Sequence, residues 1–375
     1  MTSAIASSDL LVVGAGIVGL AHASEAVRRG LSVTVIDRDS RAVGASVRNF
    51  GHCCVTAQSG DLLDLAHAAR ERWVEYSASA GFFSVQSGAL TVARSAEELA
   101  VLGELSASRE PGRVLVVSAD EVRGELSSND PAILGGAHLR DDVRVDPREA
   151  VGALATWLES QGVTFLWQTS YFGHDGSRAH TSRGPIAADR TIVCVGHDLD
   201  YLEPQLAAES GIERCGLQMT RILAPGERRI RPAVLTGTSM LRYPAFTEMP
   251  AAAALRERIA ADDPDLVEVG ANVMFTQRPD GTIIAGDSHR YGVTMDPFQS
   301  EPTTDVLLRR LAQVLGVPER GAGSLQVIER WQGIYASSAK QPYLVAELSP
   351  GVTAVSVTSG VGMTISFGLA RRFFA

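Results

Sequence analysis

The chain has 375 residues, a formal net charge of −9 and four cysteines. This length suffices for two domains or one large domain, and the acidic balance argues against a nucleic-acid-binding protein, because phosphate contacts need a basic face. No apolar run reaches the roughly 18 residues of a membrane span, and the cysteines form no CxxC pair, so neither a metal site nor a disulfide framework is expected. The N-terminal segment MTSAIASSD has no basic region followed by a cleavable apolar core, which predicts a cytoplasmic protein.

A glycine-rich turn follows the first predicted strand. Residues 10–13 are four apolar residues, typical of a buried strand in a parallel sheet, and Gly14, Gly16 and Gly19 then match the pattern GxGxxG. Gly14 permits the tight turn, Gly16 lets a pyrophosphate approach the backbone, and Gly19 lets the next helix pack closely on the strand. The spacing therefore predicts a phosphate-binding turn at the start of a helix.

The residues after this turn complete a dinucleotide-binding unit. The helix predicted over residues 20–29 presents free N–H groups and a partial positive charge at its N-terminus, which suits a phosphate. A second predicted strand, residues 32–37, ends in Asp37. Asp37 follows the glycines at about the 20-residue spacing of an acid that binds a ribose 2′-hydroxyl. Strand, glycines, helix, strand and acid in this order predict dinucleotide binding.

The next segment, RDSRAVGASVRNFG, indicates which dinucleotide is bound. Its small-residue turn, residues 44–46, resembles that of the FAD-dependent oxidoreductases of the D-amino-acid oxidase family, which includes glycine oxidase and monomeric sarcosine oxidase. The resemblance implies that the cofactor is FAD and that this turn passes the flavin and its pyrophosphate. The FAD-binding residues implied for the N-terminal part are Gly14, Gly16, Ile17, Val18, Gly19, Asp37, Arg38, Ala45, Ser46, Arg48 and Asn49.

The resemblance continues through the middle of the chain. Asp146 is an expected helix N-cap with Pro147 at the first helical position, and the strand VTFLWQT follows that helix. Tyr171 then falls where the family's backbone meets the adenine. The apolar segment DRTIVCVGHD resembles the family's strand that ends in glycine, so Gly196 is expected near the cofactor.

The C-terminal part resembles the family's flavin-contacting segments. WQGIY, residues 331–335, is similar to a tryptophan-glycine segment beside the flavin and contributes Gly333. The last stretch, VTAVSVTSGVGMTISFGLARRF, predicts a strand, a glycine turn and a helix. Its N-terminus suits the negative charge that reduced flavin carries near N1 and the C2 carbonyl. The residues expected there are Gly360, Val361, Gly362, Met363 and Thr364.

The resemblance also implies the architecture. We expect an α/β fold, with a discontinuous Rossmann-type FAD-binding domain made of residues 1–80, 140–215 and 325–375. Residues 81–139 and 216–324 would form an α+β substrate domain with a mostly antiparallel sheet. Within it, residues 96–107 are predicted to be a helix, and Pro279-Asp280-Gly281 predicts a hairpin turn between two strands.

The expected chemistry is oxidation of an amine by hydride transfer to the flavin, after which the imine hydrolyses to a carbonyl. GDSHRYGVTMDP resembles the sarcosine oxidase segment that carries an active-site histidine, so His289 is expected to orient the amine or accept a proton; a surface-turn histidine is the alternative. His52 follows the flavin-adjacent turn and is a second candidate for contact with flavin or substrate, against a local structural use.

Departures from the family pattern bear on substrate and acceptor. By this resemblance, Tyr335 stands where glycine oxidase and D-amino-acid oxidase have the arginine that grips the substrate carboxylate, and a sarcosine oxidase lysine is replaced at about Thr364. Sarcosine oxidase's flavin-linking cysteine aligns with Gly333, so FAD is expected to be noncovalent. Its oxygen-activating lysine is replaced by Ile284, which leaves the electron acceptor open between O₂ and another group.

A rebuilt anion clamp is therefore expected. Arginine suits a carboxylate, phosphonate or phosphate because its planar fork bonds two oxygens. The basic candidates are Arg48, Arg242, Arg278, Arg330 and Lys340, and Tyr243 and Tyr335 are candidates to line a small pocket. Together with the histidines, the candidate catalytic residues are His289, Tyr335, Lys340, Arg242 and His52.

Three functions remain open. GASVRNFGH and WQGIYASS also resemble a subgroup associated with aminophosphonate breakdown, which implies oxidation of a small secondary or N-methylated amine carrying an anionic group. The second is a glycine, D-amino-acid or sarcosine oxidase whose carboxylate clamp is displaced. The third is an FAD-binding electron-transfer subunit of a larger complex. No membrane partner is expected, and the oligomeric state is undetermined.

Overall fold

The computed structural model describes residues 4–375; the first three residues, which belong to the segment behind the cytoplasmic expectation, lie outside them. The α-helices are α1 Ile17–Arg28, α2 Gly60–Ala80, α3 Ala96–Ser108, α4 Ala119–Leu126, α5 Pro147–Ser160, α6 Leu199–Leu202, α7 Pro204–Glu209, α8 Gly237–Met240, α9 Pro244–Thr247, α10 Ala252–Asp262, α11 Pro264–Glu268, α12 Glu301–Leu315 and α13 Gly362–Phe373. Within residues 4–375, none of these helices has both the length and the apolar character that crossing a bilayer requires.

The strands form two large sheets and one small sheet. They are β1 Ala6–Val13, β2 Val33–Ile36, β3 His52–Cys53, β4 Ser84–Val85, β5 Ala89–Ala93, β6 Val114–Ser118, β7 Gly135–Leu139, β8 Val143–Val145, β9 Thr164–Leu166, β10 Tyr171–His174, β11 Arg178–Thr181, β12 Ile186–Val193, β13 Glu213–Ile222, β14 Ala233–Leu235, β15 Met274–Gln277, β16 Ile283–Gly286, β17 Arg290–Gly292, β18 Val327–Ser337, β19 Tyr343–Ser349 and β20 Val352–Val357. The small sheet has the order β3-β8-β4.

The first large sheet is built around β1. Its order is β10-β11-β12-β1-β2-β9, with β20 paired to β12 and β19 paired to β20. β1 runs parallel to both β2 and β12, and β20 runs parallel to β12. The four apolar residues that end β1 are all buried, as expected for a strand covered on both faces. The predicted α/β fold is confirmed.

Helix α1 lies close against β1 because of one glycine. A Cβ built on Gly19 would lie 1.9 Å from the carbonyl oxygen of Gly14, which no side chain can tolerate. Gly14 itself has φ +102°, a conformation that glycine adopts without strain. The steric roles predicted for these two glycines are therefore those that the backbone requires.

The second large sheet is mostly antiparallel. Its order is β17-β13-β16-β15-β14-β5-β7-β6, and β18 also pairs with β13. β15 and β16 form the predicted hairpin, in which the Gly281 N–H donates to the Arg278 carbonyl at 2.9 Å and Gly281 has φ +85°. The helix predicted over residues 96–107 is present as α3.

Strand β18 lies in the second sheet, although the sequence grouped residues 325–375 with the FAD-binding segments. It pairs with β13 along its whole length. The family signature in WQGIY reports closeness to a cofactor and not the sheet to which a strand belongs. The Trp331 indole N–H donates to the Arg48 carbonyl at 3.1 Å and so joins β18 to the small-residue turn.

Candidate active site

A cavity of about 570 Å³ is lined by residues of both large sheets. This volume is in the range of small-molecule and cofactor sites. It contains most of the residues that the sequence singled out, although they come from segments far apart in the chain. The predicted site residues that line it are Gly14, Gly16, Ile17, Val18, Asp37, Arg38, Ala45, Ser46, Arg48, Asn49, Tyr171, Gly196, Arg242, Tyr243, His289, Gly333, Tyr335, Gly360, Gly362 and Met363.

The N-terminus of α1 opens onto this cavity at Gly16. Gly16 has φ −74°, an ordinary conformation, and an added Cβ would meet only the Ser46 hydroxyl at 3.1 Å. A Cβ there would need only a small shift of the Ser46 side chain, whereas at Gly19 the obstacle is a backbone carbonyl oxygen. The Ile17 N–H donates to the same Ser46 Oγ at 2.9 Å, which fixes the two turns against each other. A glycine at position 16 is explained by a group that approaches the backbone from the cavity.

The N-terminus of α13 opens onto the same cavity. Gly360, with φ +75°, makes the turn that precedes it, and a Cβ on Gly362 would meet nothing closer than the Ile17 side chain at 3.9 Å. The indole N–H of Trp73 donates to the Met363 carbonyl at 2.6 Å and holds the first turn of the helix. Two helix N-termini, each with free N–H groups and a partial positive charge, therefore face one cavity.

Asp37 lies at the end of β2 beside the glycine turn. Its carboxylate accepts hydrogen bonds from the Ala15 N–H at 2.7 Å and from the Asp39 N–H at 2.9 Å. Burial raises the pKa of Asp37, although these two hydrogen bonds oppose the rise. Nearby, Arg38 forms an ion pair with Asp198 at 2.7 Å across the cavity wall. This end of the cavity has the acid that the dinucleotide pattern requires.

Arg242 lies at the other end of the cavity, just after α8. Its guanidinium donates to the hydroxyl of Tyr335 at 3.0 Å and to that of Tyr291 at 3.1 Å. Burial acts to lower the pKa of Arg242, but Tyr335, Tyr291 and Asp287 outweigh burial and raise it, so the side chain is cationic. Among residues 4–375, no carboxylate lies close enough to Arg242 to form an ion pair. The guanidinium is a largely desolvated cation held by two neutral hydroxyls.

His289 lies next to this cation as a neutral imidazole. Its side chain is 3% exposed, and burial followed by the charge of Arg242 lowers the pKa of His289 well below its ordinary value. The Nδ1 atom lies 2.9 Å from the Gly270 carbonyl, so Nδ1 carries the proton and donates it. The Nε2 lone pair is therefore free to accept a hydrogen bond.

Three residues of this end were missed by the sequence analysis. Asp287 and Asn272 are buried and line the cavity, and Tyr291 binds Arg242. Asp287 and Tyr291 lie two residues before and after His289, so the spacing offered a signal. Asn272 carries no local signal, because the β15–β16 hairpin brings it to the cavity.

Some predicted residues lie outside the cavity lining. The Lys340 ammonium donates to the Glu209 carbonyl at 2.6 Å on the surface. His52 is buried with its Nε2 atom 2.7 Å from Asp142 Oδ2. The Thr364 hydroxyl accepts from the Cys54 N–H at 3.0 Å, below the first turn of α13. These side chains hold the fold around the cavity in the structure.

The remaining predictions divide between packing and surface ion pairs. Gly19 and Val361 lie behind the cavity wall, where they support the starts of α1 and α13. Arg278 forms an ion pair with Asp146 at 2.9 Å, and Arg330 forms one with Glu301 at 3.2 Å. Of the basic residues proposed for an anion clamp, Arg48 and Arg242 line the cavity.

Comparison with known proteins gives a family and several similar folds. The family model described as DAO, FAD dependent oxidoreductase, matches residues 9–374. No curated protein sequence matches the chain. Among solved structures, glycine oxidase from Geobacillus kaustophilus has 18% sequence identity and a TM-score of 0.76, covering 98% of this chain and 94% of that one.

Two further structures are similar over nearly their whole length. Iminodiacetate oxidase from Chelativorans sp. BNC1 has 20% identity and a TM-score of 0.72, covering 96% of this chain and 93% of that one. L-alpha-glycerophosphate oxidase from Mycoplasma pneumoniae, dithionite-reduced with FAD bound, has 18% identity and a TM-score of 0.75, covering 98% and 94%. At such identities the likeness shows the fold.

Proposed function

Because the chain belongs to the DAO family of FAD-dependent oxidoreductases, we propose that it oxidises a small amine that carries an anionic group. The cofactor is FAD, which when bound supplies the acceptor for a hydride from the carbon next to nitrogen. The imine produced then hydrolyses to an aldehyde or ketone. The residues of this chain bind and orient the substrate and exclude water around it.

The lining of the cavity supports the FAD-binding positions proposed here. Gly362 has space for a Cβ in the protein alone, and at Gly16 only the Ser46 side chain would have to shift, so the lack of a side chain at both positions leaves room for a cofactor. The α1 N-terminus suits the pyrophosphate and the α13 N-terminus suits the flavin. We propose that the ribose of FAD binds beside Asp37. With Gly333 in place of a linking cysteine, the cofactor would be held noncovalently.

The observation that carries the proposal is the unpaired cation at Arg242. A half-buried guanidinium without a carboxylate within ion-pair distance gains stability when an anion binds it. The Tyr335 and Tyr291 hydroxyls both accept from its Nη2 atom, at 3.0 and 3.1 Å. A substrate anion would therefore bind here with the amine and its neighbouring carbon extending along the cavity. Arg242 would replace the carboxylate arginine that is absent after WQGIY.

Neutral His289 supports an amine as the reacting group. Its free Nε2 lone pair can accept an N–H hydrogen bond and so orient the nitrogen. The substrates named for the three similar structures all carry an anionic group. Glycine and iminodiacetate are also amines, but glycerophosphate is not. The proposal of an anionic group in the substrate therefore rests on Arg242, and the proposal of an amine rests on His289.

Within this class we propose N-methylated aminophosphonates and similar secondary amines. Since Tyr335 and Tyr291 accept hydrogen bonds from Arg242, the hydrogen of each hydroxyl remains to be donated. The protein acceptor beside both is the Cys215 sulfur, a weak one. The guanidinium and two hydroxyls thus offer three donor groups, which suits the three oxygens of a phosphonate. A carboxylate would use two of them.

The test is flavin reduction without oxygen by a panel of substrates. Glycine, sarcosine, D-alanine, iminodiacetate and N-methyl-2-aminoethylphosphonate are each mixed anaerobically with the purified yellow protein, and loss of flavin absorbance is followed. We expect the anionic secondary amines to be fastest. Faster reduction by glycine or D-alanine would favour an amino-acid oxidase, and no reduction by any of these anionic amines would contradict the proposal.

The electron acceptor needs a separate measurement. After reduction, oxygen is admitted and peroxide is measured together with the rate of flavin reoxidation. Rapid peroxide formation identifies an oxidase. Slow reoxidation that an artificial electron acceptor accelerates identifies a dehydrogenase or the electron-transfer subunit of a larger complex.

A further inference from the structure

Asp287 is a buried carboxyl group in the same cavity as Arg242. It is 3% exposed and lines the cavity directly. Its Oδ1 atom has no hydrogen-bond partner within the described residues 4–375. A buried acceptor without a partner costs free energy, so its persistence at a cavity wall points to a donor that arrives with a ligand.

The backbone around Asp287 fixes the position of this carboxyl group. The Asp287 N–H donates to the Asn272 carbonyl at 2.9 Å, and the Asn272 N–H donates back to the Asp287 carbonyl at 2.8 Å. The Ser239 hydroxyl donates to Asn272 Oδ1 at 2.7 Å and so orients the amide. On the other side, His289 Nε2 lies 3.8 Å from Asp287 Oδ2, too far for a hydrogen bond.

Asp287 is the stronger base of the two groups. Burial raises the pKa of Asp287 to about 7, with Arg242 opposing the rise, whereas burial and Arg242 lower the pKa of His289 well below its usual range. The ionisable groups that face Asp287 are Arg242 after α8, Tyr243 before α9, Cys215 on β13 and His289 before β17. Arg242 is the only cation among them.

Resting on the proposed function, we propose that Asp287 receives the amine end of a zwitterionic substrate while Arg242 binds its anionic end. The Asp287 carboxylate binds the ammonium group and accepts one proton from it. In that step an N–H bond of the ammonium breaks, an O–H bond forms on Asp287, and the electron pair remains on nitrogen. The neutral amine then has the lone pair that loss of a hydride from the adjacent carbon requires.

The two charges also define what the cavity rejects. A zwitterion pairs both groups, whereas an amine without an anion leaves Arg242 unpaired. An anion without an amine meets repulsion from the Asp287 carboxylate, which disappears when that group is protonated. Acetate should therefore bind more tightly at about pH 6 than at about pH 8, because the carboxyl charge is lost as the pH falls through about 7.

The experiment compares Asp287→Asn with a matched control, Asp305→Asn, which changes an exposed aspartate on α12. Sarcosine and N-methyl-2-aminoethylphosphonate are used for anaerobic flavin reduction. Acetate binding is measured from the change in the flavin spectrum at both pH values. Flavin content and melting temperature report folding. We expect Asp287→Asn to slow reduction by about 100-fold, a typical contribution of a positioned base, and to remove the pH dependence of acetate binding.

Asp305→Asn should leave both properties unchanged. Wild-type reduction rates and wild-type acetate pH dependence in Asp287→Asn would overturn the inference. If Asp287→Asn does not retain FAD, the inference is tested on the wild-type protein alone. Equal acetate affinity of the wild type at the two pH values would then overturn the inference. Failure of the proposed function looks different: the wild-type protein would neither be reduced by anionic amines nor bind acetate.

Discussion

The two ends of the cavity are built by different means. At the dinucleotide end, the turns around Gly16 and Gly362 present backbone N–H groups at the starts of α1 and α13. At the substrate end, Arg242 presents its side chain from the loop after α8, and Asp287 and His289 present theirs from the loop between β16 and β17. The first end depends on the absence of side chains, and the second depends on their charge.

This difference determines how each end responds to mutation. A cofactor held mainly by backbone groups is lost when a side chain fills its place, whatever the charge of that side chain. A substrate held by one cation and one carboxyl group is lost when a charge is removed, even if the shape is kept. The following predictions separate steric from electrostatic effects.

The largest effect is expected from a pair of neighbouring glycines. Gly19→Ala places a Cβ 1.9 Å from the Gly14 carbonyl oxygen, so the N-terminal unit should not fold. Gly16→Val should fold and lose FAD, because the valine meets only the Ser46 hydroxyl near its Cβ and otherwise extends into the cavity. Circular dichroism and flavin content measure both. A yellow Gly16→Val protein would contradict the pyrophosphate placement.

Replacing Arg242 should abolish recognition of the anion and spare the cofactor. Arg242→Gln is expected to lower kcat/KM for anionic amines about 10- to 100-fold, the usual loss when a hydrogen bond to a charged group is removed. Flavin content should not change. Arg330→Gln is the matched control, since that guanidinium pairs with Glu301 outside the cavity. Equal losses in the two variants would show that Arg242 does not bind substrate.

A smaller kinetic effect is expected at His289. His289→Ala removes an acceptor that orients the amine but leaves Arg242 and Asp287, so flavin reduction should slow by about 10-fold, less than for a proton-transferring group. Rapid anaerobic mixing measures this rate. Lys340→Met, whose ammonium binds the Glu209 carbonyl on the surface, serves as the control. An unchanged rate in His289→Ala would remove the histidine from the site.

The smallest effect concerns stability and follows from Asp287. Its pKa is raised from 3.8 to about 7 in the folded protein, so its neutral form stabilises the fold and this stabilisation is lost as the pH rises from about 4 to about 7. Asparagine does not ionise, so this loss of stability with rising pH is absent from Asp287→Asn. Its melting temperature should exceed that of the wild type by a few degrees at about pH 8 and by less at about pH 5. A constant difference across this range would contradict the pKa assignment.

The glycine turn at the dinucleotide end could be predicted from the sequence because its requirements are local. Gly14, Gly16 and Gly19 lie within six residues, and each is needed for a steric reason that spacing reveals. The β15–β16 hairpin followed from a local pattern of the same kind, whereas the α/β architecture was implied by the family resemblance. The WQGIY strand marked a cavity wall, yet its pairing with β13 depends on a partner more than 100 residues away along the chain.

The substrate end was predicted only in part because it is nonlocal. Arg242 and His289 were found as candidates, but so was Lys340, whose ammonium binds the Glu209 carbonyl. Asn272 and Asp287 gain their roles from burial beside Arg242, and burial of a charge is not visible in a short motif. Chemical type can be read from a sequence, whereas desolvation depends on the folded surroundings.

One matched pair of amines tests the central claim most directly. Sarcosine and N-methylethylamine have nearly the same shape and differ in whether a carboxylate or a methyl group ends the chain. Mixed anaerobically with the yellow wild-type protein, sarcosine should bleach the flavin at least about 10-fold faster, because Arg242 pairs with its carboxylate. Equal bleaching by the two amines would contradict a substrate anion at Arg242, and a protein that retains no flavin would contradict the cofactor site itself.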